Sequence, residues 1–175
     1  MRVQTKTKLK RYAVYGVIIL LAHILQNILT IFPEIVSVRP VLLISVALCI
    51  AMFEGEVVGA VAGLLSGALW DTLTVTADGY NALYLMVVCA VCGVLLRIFM
   101  RNNIITYIMM NTGFTMLYFL SYVLFFITAR GVDGGAGMLL RYYLPMCVYS
   151  LVLTPFWYVI IRAVNRKFSY NYTEY

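Results

Sequence analysis

The sequence predicts an all-α integral membrane protein, a bundle of six transmembrane helices. Three observations carry that prediction: composition, a four-residue glycine repeat set in apolar sequence, and the distribution of positive charge. Hydrophobic residues make up 63% of the 175 residues and charged residues only 11%, at a mean hydropathy of +0.93. Soluble domains carry about twice that charged fraction. Glycines recur at Gly55, Gly59, Gly63 and Gly67, and the next step of four reaches Asp71. Residues four apart share a helix face, so a single helix over this stretch would carry a flat groove about 18 Å long. In water each glycine costs a helix ~1 kcal/mol relative to alanine. In lipid, small residues let two backbones approach and gain dispersion.

The apolar spans fall at residues 12–32, 41–53, 57–70, 81–100, 104–129 and 142–161, joined by short polar connections. The first has the basic start and apolar run of a signal peptide. The run is too long for one, however, and no small-x-small cleavage site follows, so it is expected to remain as an anchor. The second and third spans are short for a bilayer, which normally needs about 20 residues, and could form one segment broken at Glu54-Gly55-Glu56. Charge decides, because Lys and Arg collect on the cytoplasmic side. With six spans and a cytoplasmic N-terminus, Arg2, Lys6, Lys8, Lys10, Arg11, Arg97, Arg101, Arg162, Arg166 and Lys167 lie inside and Arg39, Arg130 and Arg141 outside, ten against three. Fusing the middle pair gives seven against six. Six spans then leave Glu54 and Glu56 in a tight inner turn without a basic residue. The last span carries Pro145 and Thr154-Pro155, which interrupt it and imply a kink.

Residues 1–11 are thus a basic cytoplasmic N-terminus, 12–163 the six-helix domain and 164–175 a cytoplasmic tail, with no segment able to enclose a soluble core. The net charge of +6 reflects topology and contact with anionic lipid, not nucleic-acid binding, since the basic residues adjoin span ends. Nine methionines and fourteen tyrosines suit packing and interfacial anchoring.

In the first span His23, Gln26, Asn27 and Thr30 make one polar stripe at i, i+3, i+4 and i+7, expected to face the bundle interior or a partner helix. Asp71 closes a helix at its negative pole and calls for compensation, by capping or by pairing with Arg39, while Gly79 supplies the turn before the fourth span. Cys89-x-x-Cys92 lies mid-span without a second pair, and Cys49 and Cys147 are isolated; all read as buried packing residues. The glycine-rich stretch 130–137 lacks the Lys-Ser/Thr of a phosphate loop and reads as an outer loop. Asn171-Tyr-Thr173 fits a glycosylation pattern but falls on the cytoplasmic side.

Arg39-Pro40 before the second span, the ladder Gly59-x3-Gly63-x3-Gly67-x3-Asp71, Gly79, and Arg97 and Arg101 closing the fourth span together resemble the rod shape-determining protein MreD family. Length, six spans, the basic N-terminus, a proline-interrupted last span and the basic exit Arg162-Ala-Val-Asn-Arg-Lys167 extend the resemblance over nearly the whole chain. It implies a protein of the bacterial cytoplasmic membrane with both termini inside, a non-catalytic scaffold of the cell-elongation machinery. Its implied partners are a bitopic MreC-like protein and, in a larger complex, MreB and the RodA/class B penicillin-binding protein pair. The implied fold resembles the substrate-binding component of energy-coupling-factor transporters. The ladder residues Gly55, Gly59, Gly63 and Gly67 then become helix-packing or partner-interface candidates, and Arg39, Pro40, Asp71 and Gly79 the outer-face polar candidates.

The residues themselves point the same way. The seven acids, Glu34, Glu54, Glu56, Asp71, Asp78, Asp133 and Glu174, lie at span ends or beyond, and His23 is the sole histidine. No cluster has metal-ligand spacing, no catalytic constellation shares a depth, and no cofactor is implied. The alternative is a small-molecule, vitamin-binding transporter subunit. That reading expects an Ala-x3-Ala docking face, whereas the first span runs Ala13-Val-Tyr-Gly-Val-Ile-Ile-Leu-Leu-Ala22. A lipid-handling membrane enzyme is the third reading.

Overall fold

The computed structural model describes residues 2–28, 40–73, 79–98, 102–127 and 143–173. They form six α-helices: α1 Arg2–Asn27, α2 Leu42–Glu54, α3 Glu56–Asp71, α4 Tyr80–Ile98, α5 Ile104–Tyr122 and α6 Leu144–Thr173, with a π-helical turn, Val123–Ile127, continuing α5. Four segments are long and apolar enough to cross a membrane: Lys8–Asn27, Tyr80–Ile98, Ile104–Phe126 and Leu144–Phe168.

The chain is inside-out by the standards of a soluble fold. On α4, Leu83, Val87, Val91 and Val94 are exposed, and on α6 so are Val148, Val152, Phe156 and Val159. Each set steps by four, four and three, one continuous helical face. Asn81, Asn111, Thr115, Ser150, Thr154 and Ser66 are turned inward and buried. Apolar surface outside and hydrogen-bonding groups inside is the arrangement lipid demands, because lipid cannot satisfy polar groups. The chain is a helical membrane protein.

At the centre stands α2. Every residue from Val41 to Ala51 is at most 1% exposed, and α2 packs against each of the other five helices. A helix apolar all round has no polar face to give to water and is stable only when enclosed. Thirteen residues reach only about 20 Å at 1.5 Å per residue, a length that enclosure by protein makes acceptable. The break after α2 is glycine's work: Gly55 has φ +87°, a region that side chains disfavour, and its N–H closes on the Ala51 carbonyl at 2.9 Å. From there α3 folds back, with Gly59 against Ala51, four residues either side of the turn. The two short segments are therefore separate helices, as charge counting requires.

Both terminal segments are helical. Helix α1 takes in the basic N-terminal segment from Arg2, and α6 continues to Thr173 through most of the expected tail. The last span is a single helix that contains both prolines. Pro145 occupies the first turn of α6, where an N–H would have no helical acceptor, and the helix runs on through Pro155. Beside it the Thr154 hydroxyl donates to the Ser150 carbonyl at 3.0 Å, one turn back on the same helix.

Candidate functional site

The glycine ladder is the seam between α3 and α4. A Cβ on Gly63 would overlap the Leu85 carbonyl, and one on Gly67 would overlap the Asn81 carbonyl and Ala82 backbone. One on Gly59 would press on Ala51 and meet the Cys89 carbonyl at 3.2 Å. Each step of four forward on α3 is matched by a step of four back on α4, which is the register of an antiparallel pair. Gly55 lies at the near end of the seam, its backbone against Gly93 of α4, although a Cβ on Gly55 itself would meet nothing within 4 Å. It is also the hinge between α2 and α3, and Gly93 of α4, absent from the sequence pattern, completes the seam against the Gly55–Glu56 backbone. The groove expected of the ladder is thus filled from within the chain.

At the far end of that seam Asp71 caps α4. The first N–H groups of a helix have no partner within it, and Gly79, which enters α4 at φ +78°, has no side chain to offer one. Asp71 supplies both acceptors: its Oδ2 takes the Ala82 N–H at 2.9 Å and its Oδ1 the Asn81 N–H at 3.3 Å. The carboxylate at the unfavourable pole of α3 therefore lies against the favourable pole of α4, where an anion is stabilised. Arg39, the other expected partner, lies outside the described residues. Asp71→Ala should cost about 1–2 kcal/mol, the range for losing a cap. Asp71→Asn, which keeps one acceptor, should cost less; thermal unfolding in detergent measures both.

The polar stripe of the first span divides. Neighbouring residues diverge by about 100° around a helix, and here Gln26 turns inward while Asn27 is exposed. Gln26 Oε1 accepts the Leu42 and Leu43 N–H groups at 2.9 and 3.1 Å, and Ser150 Oγ accepts the Val41 N–H at 2.8 Å. Helix α2, entered through buried Pro40 and Val41, neither able to cap, is thus capped by side chains of α1 and α6. Asn27 donates to the His23 carbonyl of its own helix at 2.7 Å. His23 Nδ1 is buried and has no hydrogen-bond partner among the described residues, and Thr30 lies outside them.

The acidic turn, which carries no basic residue of its own, takes its basic partners from distant helices. Glu54, its side chain 4% exposed, accepts from Arg11 at 2.7 Å, from the Tyr15 hydroxyl at 2.9 Å and from Asn165 at 3.2 Å. One carboxylate joins α1, α2 and α6. Glu56 pairs with Arg97 at 2.7 Å on the surface. Its position at the start of α3, with its own backbone N–H as donor and Arg97 alongside, holds its carboxyl below the usual range.

A second polar stripe, on α5, was not singled out from sequence. Tyr107, Asn111, Thr115 and Tyr118 are all buried. Tyr107 donates to the Ser45 carbonyl at 2.7 Å, Asn111 to Thr154 at 2.8 Å, and Tyr118 to Asn81 Oδ1 at 2.6 Å. The spacing i, i+4, i+8, i+11 was its available signal. Around Tyr118 the rings of Trp70, Tyr80, Tyr84, Phe119 and Tyr122 gather at centroid distances of 5.2–6.1 Å, an aromatic layer at the Asp71 end of the bundle. Cys49, Cys89, Cys92 and Cys147 are buried free thiols, so the C-x-x-C pair forms no disulfide. Among the described residues no group of three His, Cys, Asp or Glu side chains could hold a metal ion.

No family model matches the chain, and no curated protein or solved structure matches it either. What the arrangement can do is therefore argued from its own chemistry. Several of the polar side chains hold helices to helices: Gln26 and, with it, Ser150 hold α2, Asp71 holds α4, and Glu54 ties three helices at one end.

Proposed function

We propose that this chain is a non-catalytic scaffold of a bacterial cytoplasmic membrane, acting in cell elongation and lateral peptidoglycan synthesis as the resemblance to the MreD family implies. In this reading all six helices cross the bilayer and both termini are cytoplasmic. A bitopic MreC-like protein is its direct partner, and MreB and the RodA/class B penicillin-binding protein pair join through the larger complex. The observation that supports the reading is that the ladder, Asp71 and Gly79, the residues carrying most of the resemblance, act as one unit. The glycines set α3 against α4, Gly79 turns the chain, and Asp71 caps the helix that the turn begins. A motif built this way maintains a rigid hairpin, which is what a platform for other membrane proteins requires.

The test is capture from native membranes: the protein tagged at its C-terminus, crosslinked, and its companions identified by mass spectrometry. Recovery of a single-span protein with an outer coiled coil, together with cell-wall polymerases, is the expected result. Recovery of paired ATPases and a helical coupling subunit would assign the chain to a vitamin transporter instead. Turnover of lipid headgroups by the purified protein would make it an enzyme.

A further inference from the structure

An apolar groove of about 250 Å³ runs between α1 and α3, floored by Ile50 of α2. Its α1 wall is Tyr12, Tyr15, Gly16 and Ile19, and its α3 wall includes Val57, Val61 and Leu65, all three of them exposed. Gly16 keeps it open: a Cβ there would meet nothing within 4 Å. The groove points away from the ladder, because Val57, Val61 and Leu65 are offset by two residues from Gly59, Gly63 and Gly67 and so occupy the opposite face of α3. The glycines that would let a second helix close on α3 are committed to α4, and on the α3 side the groove offers branched chains. Such a surface suits a flexible acyl chain better than a rigid helix.

Charge at one mouth specifies the headgroup. Lys8 is exposed and lies four residues before Tyr12, on the same face of α1, about 6 Å along the axis. This is the end where Arg11 is held by Glu54 and Glu56 by Arg97, so both acids there are already neutralised, and Lys8, one turn beyond the groove-lining Tyr12, is a cation without an ion pair among the described residues. Lys10, also exposed, points to the opposite side of the helix.

We propose that this groove binds one acyl chain of an anionic phospholipid, with Lys8 at its phosphate. The site is independent of the scaffold reading. It is tested on the purified full-length chain by native mass spectrometry, titrating phosphatidylglycerol and phosphatidylcholine of matched acyl chains. Wild type should hold phosphatidylglycerol about fivefold more tightly, the contribution of one lysine beside a membrane anion. Lys8→Gln should bring the ratio near unity and Lys10→Gln, the same change of net charge on the other face, should leave it. Gly16→Leu, which fills the groove, should weaken both lipids alike, with a thermal melt checking that the variant is folded. Equal affinities in wild type, an equal loss from Lys10→Gln, or Gly16→Leu binding as wild type would each overturn the proposal. So would a bound polypeptide in place of lipid that Gly16→Leu releases.

Discussion

Gly67→Leu should leave this protein unfolded in mild detergent at temperatures where wild type is intact, while Gly113→Ala melts with wild type or above it. At Gly67 the first added carbon already overlaps the backbone of Asn81 and Ala82, and backbone cannot rotate away as a side chain can. Forcing extra carbons into a packed interior costs ~1–3 kcal/mol and sometimes more. Here the atoms pushed aside are those whose N–H groups Asp71 caps, so about 1 kcal/mol of capping is lost with them. Gly63→Leu meets the Leu85 backbone and should behave similarly, one turn further from the cap. At Gly113 a Cβ meets nothing within 4 Å, and alanine improves helix propensity by up to ~1 kcal/mol. Circular dichroism melts separate these outcomes. A Gly67→Leu protein that melts like wild type but loses its membrane partners would move the ladder from the fold to an interface.

Glu54→Leu should be the second severe change, costing about 3 kcal/mol. Removing one member of a buried ion pair is worth ~3–5 kcal/mol, because the other charge is left without compensation. Arg11 retains some access to solvent, its side chain being 18% exposed, which places the loss at the lower end. The Tyr15 hydroxyl and Asn165 amide lose their acceptor at the same time. Adding Arg11→Leu should restore much of the stability, since replacing both charges by apolar groups is often neutral. Glu56→Ala is the counterpart on the surface. Its partner Arg97 is 75% exposed, solvent screens the pair, and the melting temperature should not move measurably. Equal losses at Glu54 and Glu56 would refute the distinction between a buried tie and a surface pair.

What could be read from sequence was whatever repeats at short range. The ladder, the positive φ needed at Gly79 and the separation of α2 from α3 all rest on local spacing or on charge summed over loops. The continuous apolar run of α2 also carried its fate, since such a helix must be enclosed, although its role as the bundle's central post depended on how the other five pack. The bonds that hold the bundle were not legible, because they link residues far apart. Glu54 meets Arg11 across 43 residues and Asn165 across 111, and Ser150 meets Val41 across 109. Gln26 stood out as polar, but its task as the cap of α2 required knowing that Val41 could not serve. At Pro155 the sequence marked a missing backbone hydrogen bond, whereas the continuity of α6 through it depends on the packing of the whole bundle.

A six-span bundle requires α3 to cross the membrane, so that the Glu54-Gly55-Glu56 turn and the basic ends of α1 and α4 share one side. Accessibility of single cysteines to an impermeant maleimide, in a background with the four native cysteines replaced by alanine, measures this in sealed vesicles of both orientations. Cysteines at Lys10, Glu56 and Arg97 should label from the cytoplasmic side, and one at Leu73, exposed just beyond α3, from the opposite side. Labelling of Leu73 and Glu56 from the same side would mean that α3 does not cross, and would contradict the six-span bundle.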